Sequence, residues 1–117
     1  MINIDLQSRV PIYEQIYKKI SELIIKGVLH EGDQIPSVRS LAKQLGINPN
    51  TVAKAYLELE RTNITYSLSG RGSFVGKIDQ EHIKSYILFD FDHCVREALT
   101  SGLTKNELID YIKEVEL

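Results

Sequence analysis

Forty-four residues, Gly32 to Val75, constrain this chain more than any other stretch. They begin with Asp33-Gln34-Ile35-Pro36-Ser37-Val38-Arg39-Ser40-Leu41-Ala42 and continue through Leu45-Gly46-Ile47-Asn48-Pro49-Asn50-Thr51-Val52. Ser37 is a good N-cap, because its hydroxyl accepts an orphan backbone N–H. Val38, Leu41, Ala42 and Leu45 then form a buried stripe at helical spacing. Gly46 supplies the left-handed exit that ends a helix, and Ile47 plugs the turn. Asn48 caps the next helix with Pro49 at its first position. Its inner face is read as Val52, Ala53, Tyr56, Leu57 and Leu59. After Arg61-Thr62-Asn63, two short extended runs, Ile64–Leu68 and Ser73–Gly76, flank Ser69-Gly70-Arg71-Gly72. Two glycines in that link predict a tight hairpin with positive backbone angles.

Helix, glycine turn, capped helix and hairpin in this order predict a winged helix-turn-helix, a shape that presents one helix end to a DNA groove. The outward residues of the capped helix's first turn are Asn50, Thr51 and Lys54. Asn and Thr hydrogen-bond bases or phosphates, and a helix N-terminus favours an anion. Arg71 at the hairpin tip suits a phosphate. By itself the hairpin reads as plain surface with a solvated arginine; directly after a helix-turn-helix it reads as the wing.

Before this stretch, Pro11 opens a helix whose apolar face is Ile12, Ile16, Ile20, Leu23 and Ile24, flanked by Tyr13 and Tyr17 and ended at Gly27. Beyond it, a new unit starts at Ile78–Asp79. Ile83, Ile87, Phe91, Val95, Ala98 and Leu99 recur on one face of a helix of about six turns, which Leu88 and Cys94 widen. Gly102 breaks it. Thr104 with Glu107 forms a capping-box pattern ahead of Leu108, Ile109, Ile112 and Val115. Two helices in about 40 residues cannot bury such a wide apolar face alone, and the obvious partner is the same pair from a second copy.

The expected fold class is therefore mostly α with a small β-hairpin wing (α+β). Residues 1–77 form the DNA-binding domain and residues 78–117 a two-helix dimerisation tail. Charge follows the same division. The net charge of −2 hides a first part with ten Lys/Arg against seven Asp/Glu, and a tail with four against nine. The basic part carries the motif; the acidic tail is ill suited to phosphates. No apolar run approaches the ~20 residues that span a bilayer. The polar start, Met1 to Arg9, shows no secretion signal, and one unpaired Cys94 suits a reducing compartment. The expected location is the cytoplasm, with no membrane partner.

Other function classes have less support. His30, His82 and His93 are scattered, and Gly70-Arg71-Gly72 lies in a hairpin rather than a phosphate loop after a strand, so no catalytic residues and no cofactor are expected. Asp90, His93 and Cys94 share one side of a helix at spacings of three and four, which makes a metal-responsive regulator the alternative. Complete sites usually need about four ligands, and the plainer reading is a core Cys94 beside solvated acids. A winged helix used for protein interaction is the other alternative; it needs neither the polar helix start nor a basic wing tip.

Taken together, Pro11-Ile12-Tyr13-Glu14-Gln15-Ile16, the Gly32–Ala42 and Gly46–Val52 segments, Tyr56-Leu57-Glu58-Leu59-Glu60 and Gly70-Arg71-Gly72-Ser73-Phe74-Val75 resemble the GntR family of bacterial transcription regulators. The short tail around Ala98–Leu108 is similar to that of the YtrA subfamily. The resemblance implies a homodimeric repressor on a palindromic operator, often of a transporter operon. It implies that Arg39 contacts DNA from the second helix, that Asn48, Asn50 and Thr51 touch bases or phosphates, and that Gly70, Arg71 and Gly72 form the wing tip. With Ser37 and Lys54 these make the expected DNA-binding set. Ile83, Ile87, Phe91, Val95, Leu108 and Ile112 make the expected dimerisation set. Asn63 stands where the family usually has glycine, and Asn tolerates the left-handed conformation. Leu68 and Ser69, often basic in relatives, predict few wing phosphate contacts and a shallow salt dependence. An effector, if one exists, is expected at the dimer interface or between tail and DNA-binding unit.

Overall fold

The structure, a computed structural model, describes residues 2–117. Five helices and one hairpin follow in the order α1 (Ile12–Ile25), α2 (Val38–Leu45), α3 (Pro49–Arg61), β1 (Thr65–Leu68), β2 (Gly72–Val75), α4 (Gln80–Thr100) and α5 (Lys105–Glu114). Contacts divide the chain into two units, one running to Tyr86 and the other Ile87–Leu117.

The first unit is built on α1, whose Ile16, Ile20, Leu23 and Ile24 are buried as the helical spacing requires. They meet Leu41 and Ala42 of α2, Val52, Ala55, Tyr56 and Leu59 of α3, and Ile35, Ile64 and Val75 from the connecting segments. One assignment from the sequence is corrected. Leu57, expected on the inner face of α3, is 67% exposed, and Ala55, not expected there, is fully buried. The cause is the 3.6-residue turn: Leu57 lies two residues from both Ala55 and Leu59, about 200° around the helix from each.

The turn between α2 and α3 forms as its residues dictate. Ser37 Oγ accepts from the Ser40 N–H at 3.0 Å, and Gly46 ends α2 at φ 68°, where a side chain would be strained. Asn48 Oδ1 accepts from the Asn50 N–H at 2.8 Å and caps α3. Asn63 takes the left-handed conformation, φ 62°, just after α3.

The hairpin is antiparallel, pairing Thr65 with Val75 and Leu68 with Gly72. Tyr66 and Phe74 stack across it with ring centroids 5.8 Å apart. A third segment joins β2, bridging at Gln34 and Phe74. The Gly32 N–H donates to Val75 O at 2.8 Å, the Val75 N–H to Asp33 O at 2.8 Å, and the Ile35 N–H to Ser73 O at 3.0 Å. The loop before α2 thus holds the root of the wing.

The first unit takes in the start of α4 as far as Tyr86. His82 lies in that stretch. Its Nε2 lies 2.7 Å from the carbonyl oxygen of Thr62, while Nδ1 accepts from the Asp79 N–H at 3.1 Å. Nδ1 also stands 3.0 Å from Asp79 Oδ1. Thr62 also bonds Tyr17 through their hydroxyls at 3.0 Å, so α1, the end of α3 and the first turn of α4 meet in one polar knot.

In the second unit, Thr104 and Glu107 form the capping box, with reciprocal bonds of 3.1 and 3.0 Å. Neither α4 nor α5 contains a buried residue. Ile87, Phe91 and Ile112 are 66%, 48% and 51% exposed. Cys94 is exposed too, not a core residue: the surface it was expected to pack into is uncovered in the single chain.

Candidate nucleic-acid interface

Among the described residues, α1, α4 and α5 each carry an acid in the first turn, Glu14, Glu81 and Glu107 respectively. The helices α2 and α3 carry none. Acids stabilise a helix N-terminus by complementing the partial positive charge of its dipole. Leaving them out of two consecutive helices forgoes that stabilisation and leaves two N-termini electrostatically free for an external anion. Arg39, the second residue of α2, goes further, since it places a cation where the dipole disfavours one.

These two ends carry the residues singled out from the sequence. Ser37, Arg39, Asn48, Asn50 and Lys54 are exposed, and Thr51 is half-buried. The capping bonds engage Ser37 Oγ and Asn48 Oδ1 as acceptors, so the Ser37 hydroxyl hydrogen and the Asn48 amide N–H groups are what these residues offer a ligand. Gly70, Arg71 and Gly72 are exposed in the hairpin, which follows α3 directly. Gly70 and Gly72 hold φ 74° and 111°, as the two-glycine link predicts. A Cβ on Gly72 would stand 2.8 Å from Gln34 Nε2. That amide donates to Arg71 O at 2.7 Å, anchoring the tip's backbone while the guanidinium is left outside.

Tyr56 was legible as core but not as a positioning group. Its hydroxyl donates to Pro36 O at 2.6 Å, tying α3 to the loop that opens α2. Burial pushes this phenol up to about 12. A folded-state value above the ordinary 10 means that the stabilisation is complete below pH 10 and is lost as pH rises through about 12. Tyr56→Phe is therefore expected to cost about 1 kcal/mol at neutral pH. Its stability should then fall less steeply than that of the native protein between pH 10 and 12, read by denaturant melts across that range. Parallel declines would contradict the role given to the buried hydroxyl.

The metal alternative gains nothing from the geometry. Among the described residues no three His, Cys, Asp or Glu side chains stand together as a metal site, and His93 packs against Phe89 with ring centroids 4.9 Å apart. A cavity of about 530 Å³ in the first unit lies among residues of the N-terminal segment, α1 and α2, including Ile2, Leu23, Leu41 and Gln44.

Comparison with known proteins agrees with this arrangement. The model of the gntR family of bacterial regulatory proteins matches residues 12–75, more than half of the chain. The chain is 40% identical to the HTH-type transcriptional repressor YtrA of Bacillus subtilis (strain 168), over 98% of this chain and 92% of that protein. Its structure is similar to YtrA from Sulfolobus acidocaldarius, a GntR-family transcription factor, at a TM-score of 0.63 and 40% identity, covering 76% of this chain and 94% of that one. It is also similar to the DNA-binding domain of AraR in complex with operator ORE1, at a TM-score of 0.56 and 29% identity, covering 65% and 93%. A winged helix-turn-helix with two acid-free helix starts, matched over its whole length by the family model, settles the assignment: the chain belongs to the gntR family of bacterial regulatory proteins.

Proposed function

We propose that the protein is a homodimeric transcriptional repressor that reads a palindromic operator. Each subunit seats the start of α3 in a major groove, where Asn50 and Thr51 meet base edges. Arg39 and Lys54 meet phosphates, with the Ser37 hydroxyl and the Asn48 amide beside them, and the Gly70-Arg71-Gly72 tip lies on the flanking backbone. The observation that carries this reading is the pair of acid-free, exposed N-termini of α2 and α3. The AraR domain, which shares this fold, is complexed with operator DNA, and the Bacillus relative is a repressor.

The second copy is argued from the tail. Ile83, Ile87, Phe91 and Val95 of α4, with Leu108 and Ile112 of α5, leave an apolar surface that one chain does not bury. Two-fold pairing through it demands half-sites about one helical turn apart, ~10 bp or a multiple. Repression follows from occupying DNA that polymerase needs. No helix among the described residues is long and apolar enough to cross a membrane, and we place the protein with its DNA in the cytoplasm.

Footprinting on DNA from upstream of the protein's own gene, with specific and random competitors, tests the reading. A protected palindrome that resists random competitor is expected. Absence of binding to any duplex at low salt would instead favour the protein-interaction alternative.

A further inference from the structure

Lys54 stands one turn beyond Asn50 on the exposed side of α3, and one turn before Glu58. A glutamate four residues away is the ordinary partner of a helical lysine. Here Arg61 takes that carboxylate in a fork, Nε at 3.2 Å from both oxygens and a terminal nitrogen at 2.8 Å. The Lys54 ammonium lies instead over the ring of Tyr13 from α1, 4.0 Å from its centroid. Tyr13 packs against the core and its hydroxyl donates to Glu14 Oε1 at 3.3 Å, so the ring is a fixed platform.

The two kinds of partner differ in what they leave behind. A carboxylate cancels the lysine's charge for any third party. An aromatic face attracts the ammonium through its quadrupole and leaves the full positive charge on offer. A free lysine also gives up much rotamer freedom when it is immobilised on a ligand, and a lysine already resting on a ring gives up less.

We propose that Tyr13 is a positioning residue for DNA binding: its ring holds the Lys54 ammonium beside the start of α3, set for a phosphate at the groove edge, and the Glu58 carboxylate is hydrogen-bonded by Arg61 rather than by Lys54. This rests on the functional reading above. It extends the interface to α1, whose apolar stripe packs in the core while Tyr13 stands at its edge.

A double-mutant cycle on the footprinted operator tests it, using Tyr13→Leu, Tyr13→Phe, Lys54→Met and the Leu/Met double variant. Lys54→Met is expected to weaken binding and to lower the salt slope by about 1.8 on the full operator, one phosphate contact from each subunit. Tyr13→Leu should weaken binding about two- to five-fold when Lys54 is present, and not at all in the Lys54→Met background. Tyr13→Phe should match the native protein. An equal Tyr13→Leu effect with and without Lys54, or tighter binding by Tyr13→Leu, would overturn the proposal; so would an unchanged salt slope in Lys54→Met. Should Tyr13→Leu fail to fold, the native protein still decides the matter: the Lys54 ε-methylene protons should show an upfield ring-current shift by NMR, and its absence overturns the placement. Failure of the native protein to bind any duplex would instead remove the functional reading, and the inference with it.

Discussion

Leu59→Ala is expected to destabilise the winged-helix unit by about 2–5 kcal/mol, the range for emptying a buried leucine site. Leu59 is fully buried and sits among α1, α2 and the hairpin root in one continuous core, so little can collapse into the space it leaves. Against a total of roughly 5–15 kcal/mol for a domain, the variant should melt far below the native protein and lose DNA binding at 37 °C through unfolding. Leu57→Ala, two residues away, removes the same atoms from a side chain that is 67% exposed and should stay within about 0.5 kcal/mol. Urea melts of both variants check the pair; a lower midpoint at an unchanged slope is the signature of lost stability alone. Equal costs at the two positions would refute the face assigned to α3.

Phe91→Asp should leave each chain folded and separate the copies. Phe91 is 48% exposed in the single chain, so a charge there is solvated in a monomer and desolvated in a dimer. If the paired tail makes the second half-site encounter intramolecular, losing it lowers operator affinity by about 10²–10⁴ while binding to an isolated half-site is unchanged. Sedimentation gives the oligomeric state, and anisotropy on full and half operators gives the affinities. A monomeric variant with native affinity for the full operator would remove the dimer from the account.

Local chemistry made most of the frame legible. Ser37, Asn48 and Thr104 cap the helices they were expected to cap, Gly46 and Asn63 adopt the left-handed conformation, and the hairpin closes around Gly70 and Gly72. Each of these signals is carried by neighbouring residues. What was not legible depends on partners distant in sequence. Gly32–Ile35 pairs with β2 some forty residues on. Tyr56 reaches Pro36, His82 reaches Thr62, and Lys54 reaches Tyr13. A lone histidine in a polar stretch gives no warning that both ring nitrogens will be bonded. Leu57 differs: its exposure follows from helical spacing already in the sequence.

The candidate site divides along the same line. The acid-free starts of α2 and α3, and the placement of Arg39, Asn50, Thr51 and Arg71 on them and on the hairpin, are local features. The groups that brace the site, Gln34 under the Arg71 backbone and Tyr56 beneath the start of α2, required the fold.

The central claim is that the start of α3 reads sequence. The most direct test is the ratio of affinities for the footprinted operator and a random duplex at fixed salt, measured for the native protein and for an Asn50→Ala/Thr51→Ala variant shown by its melt to be folded. Base-edge contacts contribute about 1–3 kcal/mol of discrimination each, and phosphate contacts contribute none. The account predicts that the ratio falls by at least tenfold while random-duplex affinity holds. An unchanged ratio in the folded variant would contradict it and move sequence reading elsewhere on the protein.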